Sequence, residues 1–169
     1  YQRNISFLAA NPTIWVEDAD SLSDIPFYER KGIIICGPGL TRYGTAISDF
    51  AKQTGYPVIV DGISGERFSS ANSSINVFGG YNNYLHISQD LLSDIDVVLR
   101  FGDVPTSKEL NEWLQTLNPK YNILFSNELE WRDDTHRLDE IIQCNLYEIS
   151  WQLEMRMSRL SRIYEKIRK

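Results

Sequence analysis

Val97-Val98-Leu99-Arg100-Phe101-Gly102-Asp103-Val104-Pro105-Thr106-Ser107-Lys108 is the stretch that decides the fold. Its first five residues read as a strand buried on both faces, and Gly102 as the turn that ends it. Thr106 or Ser107 then caps a helix running to about Leu117, with Leu110, Trp113, Leu114 and Leu117 as its apolar stripe. A buried strand turning through glycine into a helix places the strand end, with Ser107 and Lys108, where a ligand or a neighbouring domain is met.

The same alternation extends in both directions. Ile33-Ile34-Ile35-Cys36 is a continuous apolar run closed by Gly37-Pro38-Gly39, and Thr41 to Thr54 turns helical with Ile47, Phe50 and Ala51 on one face. Pro57–Val60, Tyr121–Phe125 and Glu140–Gln143 read as further strands, and a short helix is expected around Leu85–Leu92. Residues 62–84, rich in Gly, Ser and Asn, read as a long loop. Continuous apolar strands separated by helices call for a parallel sheet covered on both faces. The fold class is therefore α/β, a Rossmann-like doubly wound parallel sheet. Residues 1–29 read as an extended lead-in linker, 30–145 as the central domain, and 146–169 as a C-terminal amphipathic helix. In that helix Leu146, Ile149, Leu153, Met157, Leu160, Tyr164 and Ile167 form a narrow stripe that expects a partner surface.

Composition excludes several classes of function. The chain has 169 residues, 42% hydrophobic and 24% charged, enough for one domain with a real core. Its net charge of -6 divides into -11 over residues 1–154 and +5 over residues 155–169. An acidic body is unsuited to nucleic acid, which binds basic surfaces. The basic end reads as a solvated helix face. Neither a membrane-length apolar run nor a secretory signal is expected, and a reducing, cytoplasmic setting fits Cys36 and Cys144 at strand ends. Tyr1 in place of Met is what an excised segment gives.

Gly37-Pro38-Gly39 evokes a dinucleotide fingerprint, but Arg42 stands where a third glycine belongs and Pro38 lacks an amide donor, which favours a tight turn without ligand. Asp61, at the end of the second strand, either bonds a ribose or accepts amides of its own loop, the latter being favoured. Arg67 either pins a carboxylate or pairs with a nearby acid. Arg100, inside an apolar strand, needs a partner, either an acid such as Asp61 or Asp103 or an anionic ligand. With Lys108 in the next helix's first turn it makes the best anion-site candidate in the chain. Trp131-Arg132-Asp133-Asp134-Thr135 reads as an ordered turn. His86 and His136 have no company that makes a triad, and no metal or catalytic constellation is apparent.

Three segments carry a resemblance. Gly55-Tyr56-Pro57-Val58-Ile59-Val60-Asp61-Gly62-Ile63-Ser64-Gly65-Glu66-Arg67, the run from Asp96 to Trp113 with Arg-Phe-Gly-x-x-Pro-x-Ser-Lys at its centre, and Trp131–Thr135 with Cys144-Asn145 resemble one family's middle domain. It is the thiamine-diphosphate-dependent 2-succinyl-5-enolpyruvyl-6-hydroxy-3-cyclohexene-1-carboxylate synthase family of menaquinone biosynthesis. The resemblance covers roughly residues 30–145. It implies an enzyme of three α/β domains, a homodimer or homotetramer, that decarboxylates 2-oxoglutarate and adds the carbanion to isochorismate. It implies that thiamine diphosphate and Mg2+ are held by the N- and C-terminal domains, so this segment holds no catalytic residue, binds neither cofactor nor metal, and is inactive alone. In some members a downstream naphthoate feeds back through basic residues near this domain. Arg67, Arg100 and Lys108 are the candidates here, although no family motif is matched at them. The competing readings are a standalone nucleotide-binding module taking NAD, FAD or ADP, and an adaptor self-associating through the C-terminal stripe.

Overall fold

The computed structural model describes residues 14–16, 27–40, 44–65, 77–81, 85, 94–126 and 137–143. The helix expected at 85–92, most of the 62–84 loop, the Trp131–Thr135 turn, His86, His136, Cys144 and the C-terminal helix lie outside these residues.

The apolar runs pair as expected into one parallel sheet. Its strands are β1 (Ile14–Val16), β2 (Gly32–Cys36), β3 (Val58–Val60), β4 (Val77–Phe78), β5 (Val97–Phe101), β6 (Tyr121–Ser126) and β7 (Glu140–Gln143). They lie in the order β1-β7-β6-β5-β2-β3-β4, every pair parallel. From β2 the chain runs outward through β3 and β4, and from β5 outward the other way through β6 and β7. The order therefore reverses between β2 and β5, the switch point where doubly wound folds open a ligand crevice.

Period-two alternation divides the strands between two cores. Ile34, Cys36, Val97, Leu99, Phe101, Ile123 and Phe125 face one side, where α1 (Gly44–Thr54) covers them with Ile47, Phe50 and Ala51. Phe101 and Phe125 stack there at 4.6 Å. Ile33, Ile35, Ile59 and Val98 face the other side, covered by Leu110 and Trp113 of α2 (Lys108–Thr116) and by Leu117. The cap on α2 is Ser107, whose side chain accepts the Leu110 N–H at 3.2 Å.

The lead-in over residues 1–29 is corrected in part. Ile14–Val16 pairs with β7 as an edge strand, and Phe27 is buried against Phe50 and Tyr56. A three-residue strand is too short to show alternation, and one buried ring makes no period. At the amino ends of the strands, Arg30 pairs with Asp96 at 3.7 Å and lies over the Tyr121 ring. The Tyr56 hydroxyl donates to the Phe27 carbonyl at 2.9 Å.

Burial first, and then the Asp96 carboxylate, push the Tyr56 phenol well above the usual tyrosine range. The folded chain keeps this proton where the unfolded chain releases it, near about pH 10. The stability it contributes is thus full below that pH and is lost as pH rises beyond it. Tyr56→Phe is expected to cost about 1 kcal/mol at neutral pH through the lost hydrogen bond. It should also flatten the fall in stability above about pH 10, as read by urea denaturation across alkaline pH; an unchanged alkaline slope would contradict the assignment.

Candidate functional site

The loops that follow β2, β3 and β5 meet at the switch point, and backbone hydrogen bonds close them on one another. The Gly37 N–H donates to the Phe101 carbonyl at 2.8 Å, and the Asp103 N–H donates back to the Pro38 carbonyl at 3.0 Å. Asp61 N–H donates to the Cys36 carbonyl at 2.8 Å and Leu40 N–H to the Ser64 carbonyl at 3.2 Å. The approach is too close for any side chain. A Cβ on Gly37 would lie 1.8 Å from the Asp103 carbonyl oxygen, and one on Gly102 would lie 2.4 Å from that of Pro38. Gly102 also has φ +78, in the left-handed region. The amides of Gly37 and Leu40, in the turn where a nucleotide-binding relative of this fold would cradle a phosphate, are thus spent within the chain.

Asp61 completes the closure. It is 0% exposed, and its carboxylate accepts the Ile63 N–H at 3.0 Å, the Thr106 N–H at 2.8 Å and the Thr106 hydroxyl at 2.9 Å. The own-loop contact with Ile63 is the one the sequence favours, whereas the clamp on Thr106, 45 residues away, has no local signal. A ribose would have to displace Thr106. The Asp103 carboxylate, 4.0 Å from where a Cβ of Gly39 would stand, adds negative charge beside the turn. Among the described residues no group of three or more His, Cys, Asp or Glu gathers as a metal would require.

The candidate cations are placed apart. Arg100 is 6% exposed and lies with Val98 on the α2 side of the sheet, beside Asn111, Leu114 and Leu117. Lys108 is on the solvent side of the same helix, its side chain 81% exposed and its Nζ 3.5 Å from Glu112. The structure does not bring the two together. Arg67 lies outside the described residues. Sequence reasoning missed Arg137, which donates to the carbonyls of Gln115 and, at 3.0 Å, Leu117 at the end of α2. This is a favourable place for a cation, because the last carbonyls of a helix lack partners and carry its negative pole. Its signal was absent because α2 has no basic residue in its own last turn.

Comparison with known proteins agrees with this geometry. A family model described as the middle domain of thiamine pyrophosphate matches residues 10–161. The chain is 41% identical over 115 residues to the 2-succinyl-5-enolpyruvyl-6-hydroxy-3-cyclohexene-1-carboxylate synthase of Roseiflexus sp. (strain RS-1), covering 67% of this chain and 19% of the relative. It is 36% identical over 127 residues to the synthase of that name from Haloquadratum walsbyi, covering 73% and 20%. The Bacillus cytotoxicus protein of that name is 30% identical over 120 residues, covering 69% and 20%. The chain thus spans about a fifth of the length of these relatives. Among the described residues no helix is long and apolar enough to cross a membrane.

Two pairs of substitutions test the closure. Gly102→Ala combines a left-handed backbone with a clash and is expected to cost more than about 2 kcal/mol. Gly55→Ala, at φ +73 with nothing within 4 Å, should cost only about 1 kcal/mol. Equal costs in chemical denaturation would sink the steric account. Asp61→Asn and Thr106→Val should each destabilise by about 1–3 kcal/mol, with a coupling of at least about 1 kcal/mol in the double-mutant cycle. Strict additivity would mean that the clamp is not an energetic unit.

Proposed function

Because the chain belongs to the family of thiamine pyrophosphate enzyme middle domains, we propose that it is the central, interdomain-organising part of a 2-succinyl-5-enolpyruvyl-6-hydroxy-3-cyclohexene-1-carboxylate synthase. In this reading the whole protein works in the cytoplasm as a homodimer or homotetramer, in menaquinone biosynthesis. It decarboxylates 2-oxoglutarate and adds the resulting carbanion to isochorismate, and the chemistry belongs to its N- and C-terminal domains. Thiamine diphosphate supplies the carbanion stabilisation and Mg2+ anchors its diphosphate, both outside this segment.

The observation that carries the proposal is the closed switch point. The Arg-Phe-Gly-x-x-Pro-x-Ser-Lys run, the most specific part of the resemblance, is spent largely on structure. Gly102 admits the Pro38 carbonyl, Thr106 receives Asp61, Ser107 caps α2 and Arg100 lies under that helix. In this reading none of these residues reaches a substrate. What the segment offers its neighbours, in this reading, is its parallel sheet.

The expected outcome is carbon dioxide release and product formation from 2-oxoglutarate and isochorismate by the whole protein with thiamine diphosphate and Mg2+. Residues 1–169 alone should give none, and robust turnover by them would overturn the assignment. The rival, a nucleotide-binding module, predicts sub-millimolar binding of NAD, FAD or ADP in calorimetry. The Asp61–Thr106 clamp predicts no measurable heat with any of the three.

A further inference from the structure

Charged and apolar side chains are sorted to opposite edges of the sheet. At the amino ends of β2, β5 and β6 stand Glu29, Arg30, Lys31, Asp94, Asp96 and Lys120, and the side chains of Lys31 and Asp94 are 72% and 79% exposed. At the carboxyl ends of β2, β3, β4 and β5 the described loops are residues 37–40, 61–65, 79–81 and 102–107. Their charged residues are Asp61, fully buried on Thr106, and the partly buried Asp103. This edge also carries the two large hydrophobic side chains that stand exposed among the described residues, Ile63 at 64% and Phe78 at 44%. Ile63 follows β3 and donates its N–H to Asp61 at 3.0 Å. Phe78 ends the adjacent strand β4, in register with Ile59, which puts it on the α2 side of the sheet.

A single exposed apolar residue is ordinary on a protein surface. Two at the ends of neighbouring strands, on the edge from which charge is withdrawn, match instead the centre of a protein interface, where charged residues are depleted. Nucleic acid requires cations, and the described loops of this edge hold none. Two apolar side chains alone are also too little for a free protein partner, since a stable complex of separate molecules buries about 800 Å² on each side. A tethered partner needs far less, because its linker holds it at an effective concentration in the millimolar range. The matched relatives supply such a partner: the chain covers 19% and 20% of two of them, so about four-fifths of their length lies outside the match. We propose that Ile63 and Phe78 form a docking surface for another domain of the same polypeptide, which seats apolar side chains against the carboxyl edge of β3 and β4. This rests on the assignment of the chain as the central part of a larger synthase, and it names the surface through which that part organises its neighbours.

The whole protein carrying Ile63→benzoylphenylalanine is expected, on illumination, to cross-link to a peptide outside residues 1–169. A cross-link that stays within residues 1–169, in one copy or between two, would overturn the proposal, and so would no cross-link at all. Alkylation read by mass spectrometry gives a second measure that does not depend on the photoreactive group. Ile63→Cys and Phe78→Cys in the whole native protein should react about tenfold or more slowly than Lys31→Cys on the opposite edge, because a docked domain has to open first. Equal rates would mean that the edge stands open to solvent. Turnover of 2-oxoglutarate with isochorismate reads the assignment separately. Turnover without the cross-link removes the docking surface alone, and the cross-link without turnover removes the assigned activity alone.

Discussion

The structure depends on the distance at which two loops pass each other, where Gly37 donates to Phe101 and Asp103 donates back to Pro38. With no Cβ on Gly37 or Gly102, the backbones approach to contact, and that contact sets the course of residues 103–106. Thr106 then falls against the buried Asp61 carboxylate, Ser107 falls at the start of α2, and Leu110 and Trp113 are delivered onto Ile33, Ile35 and Val98. One face of the sheet is thus covered because two loops at its edge have no room to separate. Hydrogen bonds to a carboxylate are stronger than those between neutral groups, which suits Asp61 to hold the last joint of that series.

Much of this was legible in the chain itself, for reasons that differ by element. The strands β2 and β3 declare themselves through unbroken apolar runs, and β5, β6 and β7 through shorter ones, as strands covered on both faces do. The cap of α2 was readable to within two residues, Thr106 or Ser107, because a hydroxyl before an apolar helical stripe has a ready use, and it is Ser107. The partner of Asp61 was not readable, since its donors are a backbone amide and a hydroxyl 45 residues away. The placement of Arg100 and Lys108 followed a similar logic. They are eight positions apart, but strand alternation turns Arg100 toward α2, while helical spacing turns Lys108 toward Glu112 and solvent. β1 is three residues long and Arg137 acts on a helix that ended long before it, so neither leaves a local pattern.

The two faces of the sheet are built differently. The α1 side is rich in aromatic rings, with Phe27, Phe50, Tyr56, Phe101 and Phe125 in one cluster. The α2 side mixes Ile, Leu and Trp with a buried arginine and two asparagines near the helix end. A polar corner under a helix fixes direction where apolar packing alone leaves sliding, because its hydrogen bonds hold in only one register. Arg137 and Asn122 supply that register to α2 and β6.

The closure between β2 and β5 also shapes what evolution can do with this chain. For a nucleotide to enter, Pro38 and Asp103 must part, Asp61 must release Thr106, and the helix capped by Ser107 must shift with them. No single substitution does all of this, and each one alone leaves a strained or unsatisfied loop. The contact therefore works as a lock with several parts: opening the centre of the sheet takes several changes at once, whereas its outer faces vary one residue at a time.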